Sequence, residues 1–408
     1  MTAALARCSY MQLARLRAAY AEEPWLKAPI AFGLHLSRAS LPRLPAALSS
    51  LMHRHPVLCA TFPGPDRVEY HRPPGPGEVP LEVVDEPWTH ESVLAGVRTP
   101  FAPGADRLYR YLVAGADHAD PGGVVLVVAV DHLLFDGYSV DVFRRDLGAL
   151  LAGEDDLDQV FGPAASYPEF VDEQERFVTG PQGVAARDHW LRRWERSGLY
   201  PALPQPDFSP DRTPALRHLS FAAKGLEHGI SRTAPGCAAL AALAQAIRDC
   251  ADRPPDGTVA VTAITPYLNR SRRFMNSLGY FDNRVQAALV AEEDPELTRR
   301  NATGEWMDIL RYGSYPFELI VRELFVSEYS RQAQSPYLFF TSSPRVRASA
   351  PTTPELARFT DVESFKDYNS LTVSHGRGDD GADLFDLIFN TSTVSEAFVQ
   401  RLVEGMTP

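Results

Sequence analysis

The sequence predicts an α/β protein built as two lobes, and three observations carry that expectation. Strand-like and helix-like segments alternate along the chain, which calls for sheets covered by helices. A proline-rich stretch, five prolines in the fourteen residues Pro201–Pro214, interrupts the alternation and reads as an extended linker. The length of 408 residues suits two large lobes. Residues 1–178 are expected to form the N-terminal lobe, and residues 179–408, with a linker at about 201–214, the C-terminal one. An apolar content of 45% with 23% charged residues supplies a core and excludes wholesale disorder. No repeat of solenoid or propeller period is visible.

Each element follows from its own pattern. Ala3–Ala21 carries Leu5, Met11, Leu13, Leu16 and Tyr20 at helical spacing and predicts a helix. Ala28–Leu36 alternates into a strand, Leu44–His53 reads as a second helix, and Pro56–Phe62 reads as a strand. Arg72–Pro80 is a Pro/Gly turn region. Val124–Val130 is an unbroken apolar run, which predicts a strand buried on both faces. A short loop leads to a helix from about Ser139, with Val140, Phe143, Leu147 and Leu150 on one stripe. Beyond the linker come an Ala-rich helix, Cys237–Ala251, and a strand, Thr258–Ile264. Two alternating runs, Leu371–His375 and Ala382–Phe389, flank a Gly/Asp-rich tip and make a hairpin. That tip, Gly376-Arg-Gly378-Asp-Asp-Gly381, matches GxGxxG, but a dinucleotide fingerprint opens a helix and here a strand follows.

Several function classes fall away on composition. A net charge of −12 argues against a general nucleic-acid binder. Only Lys27, Lys224 and Lys366 are lysines, so a Schiff-base mechanism has few candidates. No GxxxxGK[ST], HExxH or GxSxG occurs. The longest apolar run is far below the ~20 residues that span a bilayer, and the N-terminus lacks the pattern of a signal peptide. Cys8, Cys59, Cys237 and Cys250 are scattered without CxxC spacing. They fit neither a zinc site nor a disulfide framework, and they suit a reducing, cytoplasmic interior.

The segment that carries chemistry is Asp131-His132-Leu-Leu-Phe-Asp136-Gly137-Tyr138-Ser139. An HxxxDG match arises by chance about once in twenty chains of this composition, so placement is what strengthens it. His132 lies just past the carboxyl end of a buried strand and before a helix, where open α/β sheets build their sites. Imidazole, with an unperturbed pKa of ~6.5, is the side chain best suited to general-base work near neutrality. Gly137 is expected to permit a sharp turn that a side chain would obstruct. Asp136 has two competing roles: orienting His132, or pinning the loop through an arginine. A hydrogen-bonded core histidine with a helix-capping aspartate would satisfy the same pattern. The residues alone leave these readings open.

The segment resembles the HHxxxDG signature of condensation domains from nonribosomal peptide synthetases, members of the chloramphenicol-acetyltransferase-like acyltransferases. Further blocks resemble the family in order: Ser9-Tyr-Met-Gln12 its SxxQ, and Arg54-His55-Pro-Val-Leu58-Cys59-Ala60-Thr61-Phe62 its RHxxLRTxF. Tyr167-Pro-Glu-Phe170 is similar to YxDF, and His189-Trp190 to the aromatic helix after it. Asn269-Arg270 with Gly279-Tyr-Phe281-Asp-Asn283 is similar to NR…GxFxN. Pro316-Phe317-Glu318-Leu319-Ile-Val321 resembles PFExLV, and Ser335-Pro336-Tyr-Leu338-Phe339 the NPLF block. Singly weak, they are strong in their order from residue 9 to 339.

The resemblance implies two chloramphenicol-acetyltransferase-like lobes in a V-shaped arrangement, with the active site at their interface. It implies an acyltransferase that forms an amide or ester in natural-product biosynthesis. No cofactor is expected to be bound: the acyl donor rides on 4'-phosphopantetheine, on an acyl or peptidyl carrier protein or as CoA, and the acceptor is a small amine or alcohol. His132 is then the general base or the group that positions the nucleophile. Gly137 lies where backbone N–H groups would face the oxyanion, and Arg270 is the expected buried partner of Asp136, bridging the lobes. Tyr138, Ser139 and Ser342 are candidates for the wall of a substrate tunnel. Arg272 and Arg273 are candidates for the phosphates of CoA, although solvated loop charges are the commoner reading. Three departures stand out: Asp131, counted with Arg270 as structural support of the site, replaces the first histidine of the signature and is expected to raise the pKa of a neighbouring imidazole; Cys59-Ala60 replaces Arg-Thr; and Tyr315 precedes Pro316 where an acid is common. No carrier or adenylation segment is evident, so the chain is expected to be free-standing. The alternatives are a non-catalytic domain that recruits carriers, or the same fold with cyclisation or hydrolysis chemistry.

Overall fold

The structure, a computed structural model, describes residues 4–20, 29–87, 99–102, 104–115, 123–197, 216–223, 226, 235–250, 258–265, 269–323, 338–342, 356–357, 371–377 and 382–407. The chain forms two compact units. The first comprises residues 1–176, 270–281 and 346–362, and the second residues 177–269, 282–345 and 363–408. A division at residue 178 assigns 270–281 to the C-terminal lobe, whereas the structure packs this segment into the first unit.

In the first unit, β1 (Ala4–Arg7) precedes α1 (Tyr10–Tyr20), correcting the single helix expected over Ala3–Ala21. Residues 4–7 pair antiparallel with β4 (Arg67–Tyr70), itself paired with β3 (Ala60–Gly64). The start of α1 is written in Ser9-xx-Gln12, a reciprocal capping box. The Gln12 N–H donates to Ser9 Oγ (3.2 Å), and the Ser9 N–H to Gln12 Oε1 (3.0 Å). The strand expected over Pro56–Phe62 begins only at Ala60. Pro56–Cys59 forms a 3₁₀ turn after α2 (Leu44–Arg54).

The main sheet of this unit contains β2 (Ile30–Ser37), β5 (Leu81–Pro87), β6 (Tyr109–Gly115), β7 (Gly123–Val130) and β12 (Leu356–Ala357), in the order β12-β2-β7-β6-β5. Strand β7 is central and antiparallel to both neighbours: Val130 lies opposite Ile30 on one side and Tyr109 on the other. All eight of its residues are buried, which is why its sequence is apolar without alternation. The chain then enters α3 (Gly137–Ala152), α4 (Leu157–Phe161) and α5 (Tyr167–Thr179).

The second unit holds α6 (Pro181–Ser197), β8 (Leu216–Ala223), α7 (Pro235–Cys250), β9 (Thr258–Thr265), β10 (Asn283–Val290), α8 (Pro295–Tyr312), α9 (Phe317–Glu323), β11 (Leu338–Ser342), β13 (Leu371–Arg377), β14 (Asp383–Asn390) and α10 (Glu396–Met406). Its sheet runs β10-β9-β11-β13-β14-β8. The β13–β14 pair is antiparallel, from Leu371 opposite Phe389 to Arg377 opposite Asp383. Leu240, Leu243, Ile247, Phe340, Leu387 and Phe398 form the centre of its core. The hairpin tip at 378–381 and the Pro201–Pro214 linker lie outside the described residues.

Candidate active site

The site is built at the carboxyl end of β7. The Asp131 N–H donates to the Leu108 carbonyl (2.8 Å), extending the ladder one residue past the strand. The chain then turns tightly: the Leu134 N–H reaches the Asp131 carbonyl (3.0 Å), and α3 starts five residues after His132. Leu133, Leu134 and Phe135 go into the core, with Phe135 against Phe32 and Phe143. Between Asp131 and Ser139 every residue is buried except His132 and Gly137. The imidazole of His132 lies against the ring of Tyr280, centroids 4.6 Å apart.

Asp136 anchors this loop. Its carboxylate caps α3 by accepting from the Ser139 N–H (2.8 Å). It also accepts from Arg270 Nη2 (2.7 Å) and, through the other oxygen, from the Phe281 N–H (3.0 Å). Both ionic side chains are wholly buried. Arg270 further donates to the carbonyls of Phe274 (3.1 Å) and Ser277 (2.6 Å), and its guanidinium is sandwiched between the rings of Tyr138 (4.6 Å) and Phe281 (4.1 Å). Of the two roles open to Asp136, the contacts show the pin. Asp136 and Arg270 lie within one compact unit rather than in two lobes.

Three expectations need correction here. Ser139 is fully buried, and its hydroxyl contacts Asp136 (2.8 Å), Arg270 (2.7 Å) and the Gly279 carbonyl (3.0 Å). It belongs to the anchor, and the Tyr138 ring packs on the Arg270 guanidinium within it. Gly137 has no positive φ, and a Cβ there would meet nothing within 4 Å. The turn therefore does not demand glycine. Arg273 is engaged by Glu169 and Glu173, so its charge is answered by carboxylates, not held open for phosphates. Ser342 ends β11 in the second unit, and its side chain lies outside the described residues.

Residue reasoning missed Gln12, Tyr280 and Gly279 as parts of the site. Gln12 Nε2 donates to the Leu133 carbonyl (2.8 Å), directly after His132. At Gly279 an added Cβ would lie 2.4 Å from Tyr167 and 2.5 Å from Phe281, so this is where close packing does require glycine. Tyr167 Oη donates to the Tyr280 carbonyl (2.7 Å) and, having one proton, accepts from Ser9 Oγ (2.9 Å). Their only sequence signal was membership in the ordered blocks.

Arg54-His55 builds a second buried cluster. His55 Nε2 donates to Asp146 (2.9 Å), which also binds Arg54 (3.1 Å) and Arg145 (2.8 Å), while His55 Nδ1 accepts from the Leu278 N–H (3.4 Å). Burial lowers the His55 pKa, Asp146 opposes the shift, and Arg54 and Arg145 add to it. Asp146 itself is held low: burial alone would raise it, but His55 and Arg145 outweigh that. The pair is thus a neutral imidazole donating to a carboxylate. Unfolded, His55 would titrate near 6.5, so below that pH the unfolded chain binds the extra proton first. Stability is therefore expected to fall as pH drops from about 6.5. Urea midpoints from pH 7.5 to 5.5 check this (roughly that range brackets the window); the slope should flatten in His55→Asn.

Among the described residues no cluster of three His, Cys, Asp or Glu side chains is placed to hold a metal ion. No described helix is long and apolar enough to cross a membrane.

No family model matches the sequence. The chain is 31% identical over 323 residues to N-(5-amino-5-carboxypentanoyl)-L-cysteinyl-D-valine synthase of Amycolatopsis lactamdurans, covering 73% of this chain and 8% of that one. Its fold is that of the condensation domain from the monacolin K polyketide synthase MokA (TM-score 0.73, 12% identity, 100% and 96% of the two chains). It is also that of VibH, a nonribosomal peptide synthetase condensation enzyme (TM-score 0.69, 14% identity, 97% and 93%). The chain spans only a small part of the curated relatives it matches. Fold and likeness agree on the class the chain resembles: it has the chloramphenicol-acetyltransferase-like α/β fold of nonribosomal peptide synthetase condensation domains.

Proposed function

We propose that this chain transfers an acyl group from a 4'-phosphopantetheine thioester, carried on an acyl or peptidyl carrier protein or as CoA, to an amine or hydroxyl acceptor. The observation that carries this reading is the exposure pattern of residues 131–139: His132 and Gly137 alone escape burial in an otherwise buried, cross-braced loop. The acceptor attacks the thioester carbonyl, His132 takes its proton or holds it in line, and the pantetheine thiolate leaves as the thiol. Asp136 takes no part in this transfer, because its oxygens are committed to Ser139, Arg270 and Phe281. With the Ser139 N–H taken by Asp136, the backbone N–H groups of Gly137 and Tyr138 are the ones we assign to the developing oxyanion. The four cysteines are free thiols, in keeping with a cytoplasmic setting for this chemistry.

The test is to mix the protein with an acyl-phosphopantetheinyl carrier and a panel of amines and alcohols, and to follow product and unloaded carrier by mass. Product at the mass of acyl plus acceptor less water supports condensation. Release of free acid, a cyclised product or no turnover with any acceptor counts against it.

Gly137 gives a separate check. With open space at its Cβ and an exposed first-turn position, Gly137→Ala is expected to leave stability unchanged or raise it by up to about 1 kcal/mol. If that space admits the thioester, the same change should lower turnover. A variant as active as wild type would remove Gly137 from the site.

A further inference from the structure

Asp131 stands where the family signature carries a histidine, and the contacts around it give it work of its own. We propose that Asp131 is a positioning residue for His132: its carboxylate closes a turn across His132, and helix α1 clamps that turn from outside through Gln12 and Arg15. This rests on the acyl-transfer reading only in what His132 is positioned for.

Asp131 Oδ1 accepts the Leu133 N–H at 2.8 Å, so the side chain bridges from residue 131 to 133 with His132 between, an Asx turn. Its backbone is held as well, the N–H by the Leu108 carbonyl and the carbonyl by the Leu134 N–H. The other face of Leu133 is taken by Gln12, whose amide donates to the Leu133 carbonyl at 2.8 Å. Three residues on, one helical turn, Arg15 Nε lies 3.8 Å from Asp131 Oδ1. The peptides either side of Leu133 are therefore fixed by residues 131 and 12, with Arg15 beside the Asp131 carboxylate, while Asp136 and Arg270 fix the far end of the loop. Asp131 is 7% exposed, and a carboxylate so placed costs free energy unless its bonds are made. A side chain that only filled space would not need them. An imidazole held by a loop needs placement to about half an ångström, and this is the near side of that support.

Asparagine at 131 keeps the oxygen that accepts the Leu133 N–H, and alanine removes it. Asp131→Ala should lower kcat on the order of 100-fold with KM unchanged, and Asp131→Asn should keep most of the wild-type rate. In protein carrying ¹³Cε1-labelled histidine, the His132 resonance, assigned by its loss in His132→Gln, should move or broaden in Asp131→Ala and in Gln12→Ala but not in Asp131→Asn. Wild-type kcat in Asp131→Ala, an Asp131→Asn as slow as Asp131→Ala, or an unmoved His132 signal in Gln12→Ala overturns the clamp. The resonance needs no substrate. If His132→Ala keeps full activity, the acyl-transfer reading falls while the ring signal still decides the role of Asp131.

Discussion

Replacing Asp136 by alanine is expected to destabilise the first unit by about 3–5 kcal/mol, because it leaves the Arg270 guanidinium charged, wholly buried and without its counter-ion. The loss should exceed that of a helix cap alone, worth about 1 kcal/mol, since the same carboxylate also receives the Phe281 N–H. Urea denaturation should show a lower midpoint. The pair can be told from the cap by a second change: Asp136→Ala with Arg270→Met should recover part of the stability, since no charge then remains buried. If the double variant is as unstable as the sum of the two single changes, the energetic account of the anchor is wrong.

His132→Ala should act in the opposite way, on rate and not on fold. The ring is only partly buried and lies against Tyr280, outside the anchor formed by Asp136, Arg270 and Ser139. Its removal is expected to leave the melting temperature near wild type. Loss of a general base costs about 10²- to 10⁴-fold in rate, so turnover of the acyl carrier should drop by that much. A fall nearer tenfold would favour a histidine that orients the acceptor without taking its proton. Full retention of turnover would remove His132 from the chemistry.

These contrasts show what was legible in the residues. The apolar run Val124–Val130 could only be a strand buried on both faces, and it placed His132 at a strand end. Asp136 was harder, because nothing local distinguishes a carboxylate that orients an imidazole from one that pins a loop. The answer depends on Arg270, 134 residues away in sequence, and only the order of weak blocks singled that arginine out. The first segment misled for a related reason: Leu5 fits a helical stripe, but residues 4–7 pair with Arg67–Tyr70, and tertiary pairing outweighed local periodicity. The reciprocal Ser9–Gln12 bonds then fix where α1 begins. Gly137 and Gly279 make the converse point. Sequence alone could not tell that the second is required by packing and the first is not.

The return of residues 270–281 to the first unit bears on how the molecule is made. On the ribosome, a nascent chain that has emerged through residue 176 carries His132 and Asp136 but not the arginine that neutralises the aspartate. At roughly 5–20 residues per second of synthesis, several seconds pass before that cation arrives, and until then the loop holding the imidazole cannot set. Swapping the first half of this chain into another protein by a cut near residue 176 would leave it in the same unfinished condition.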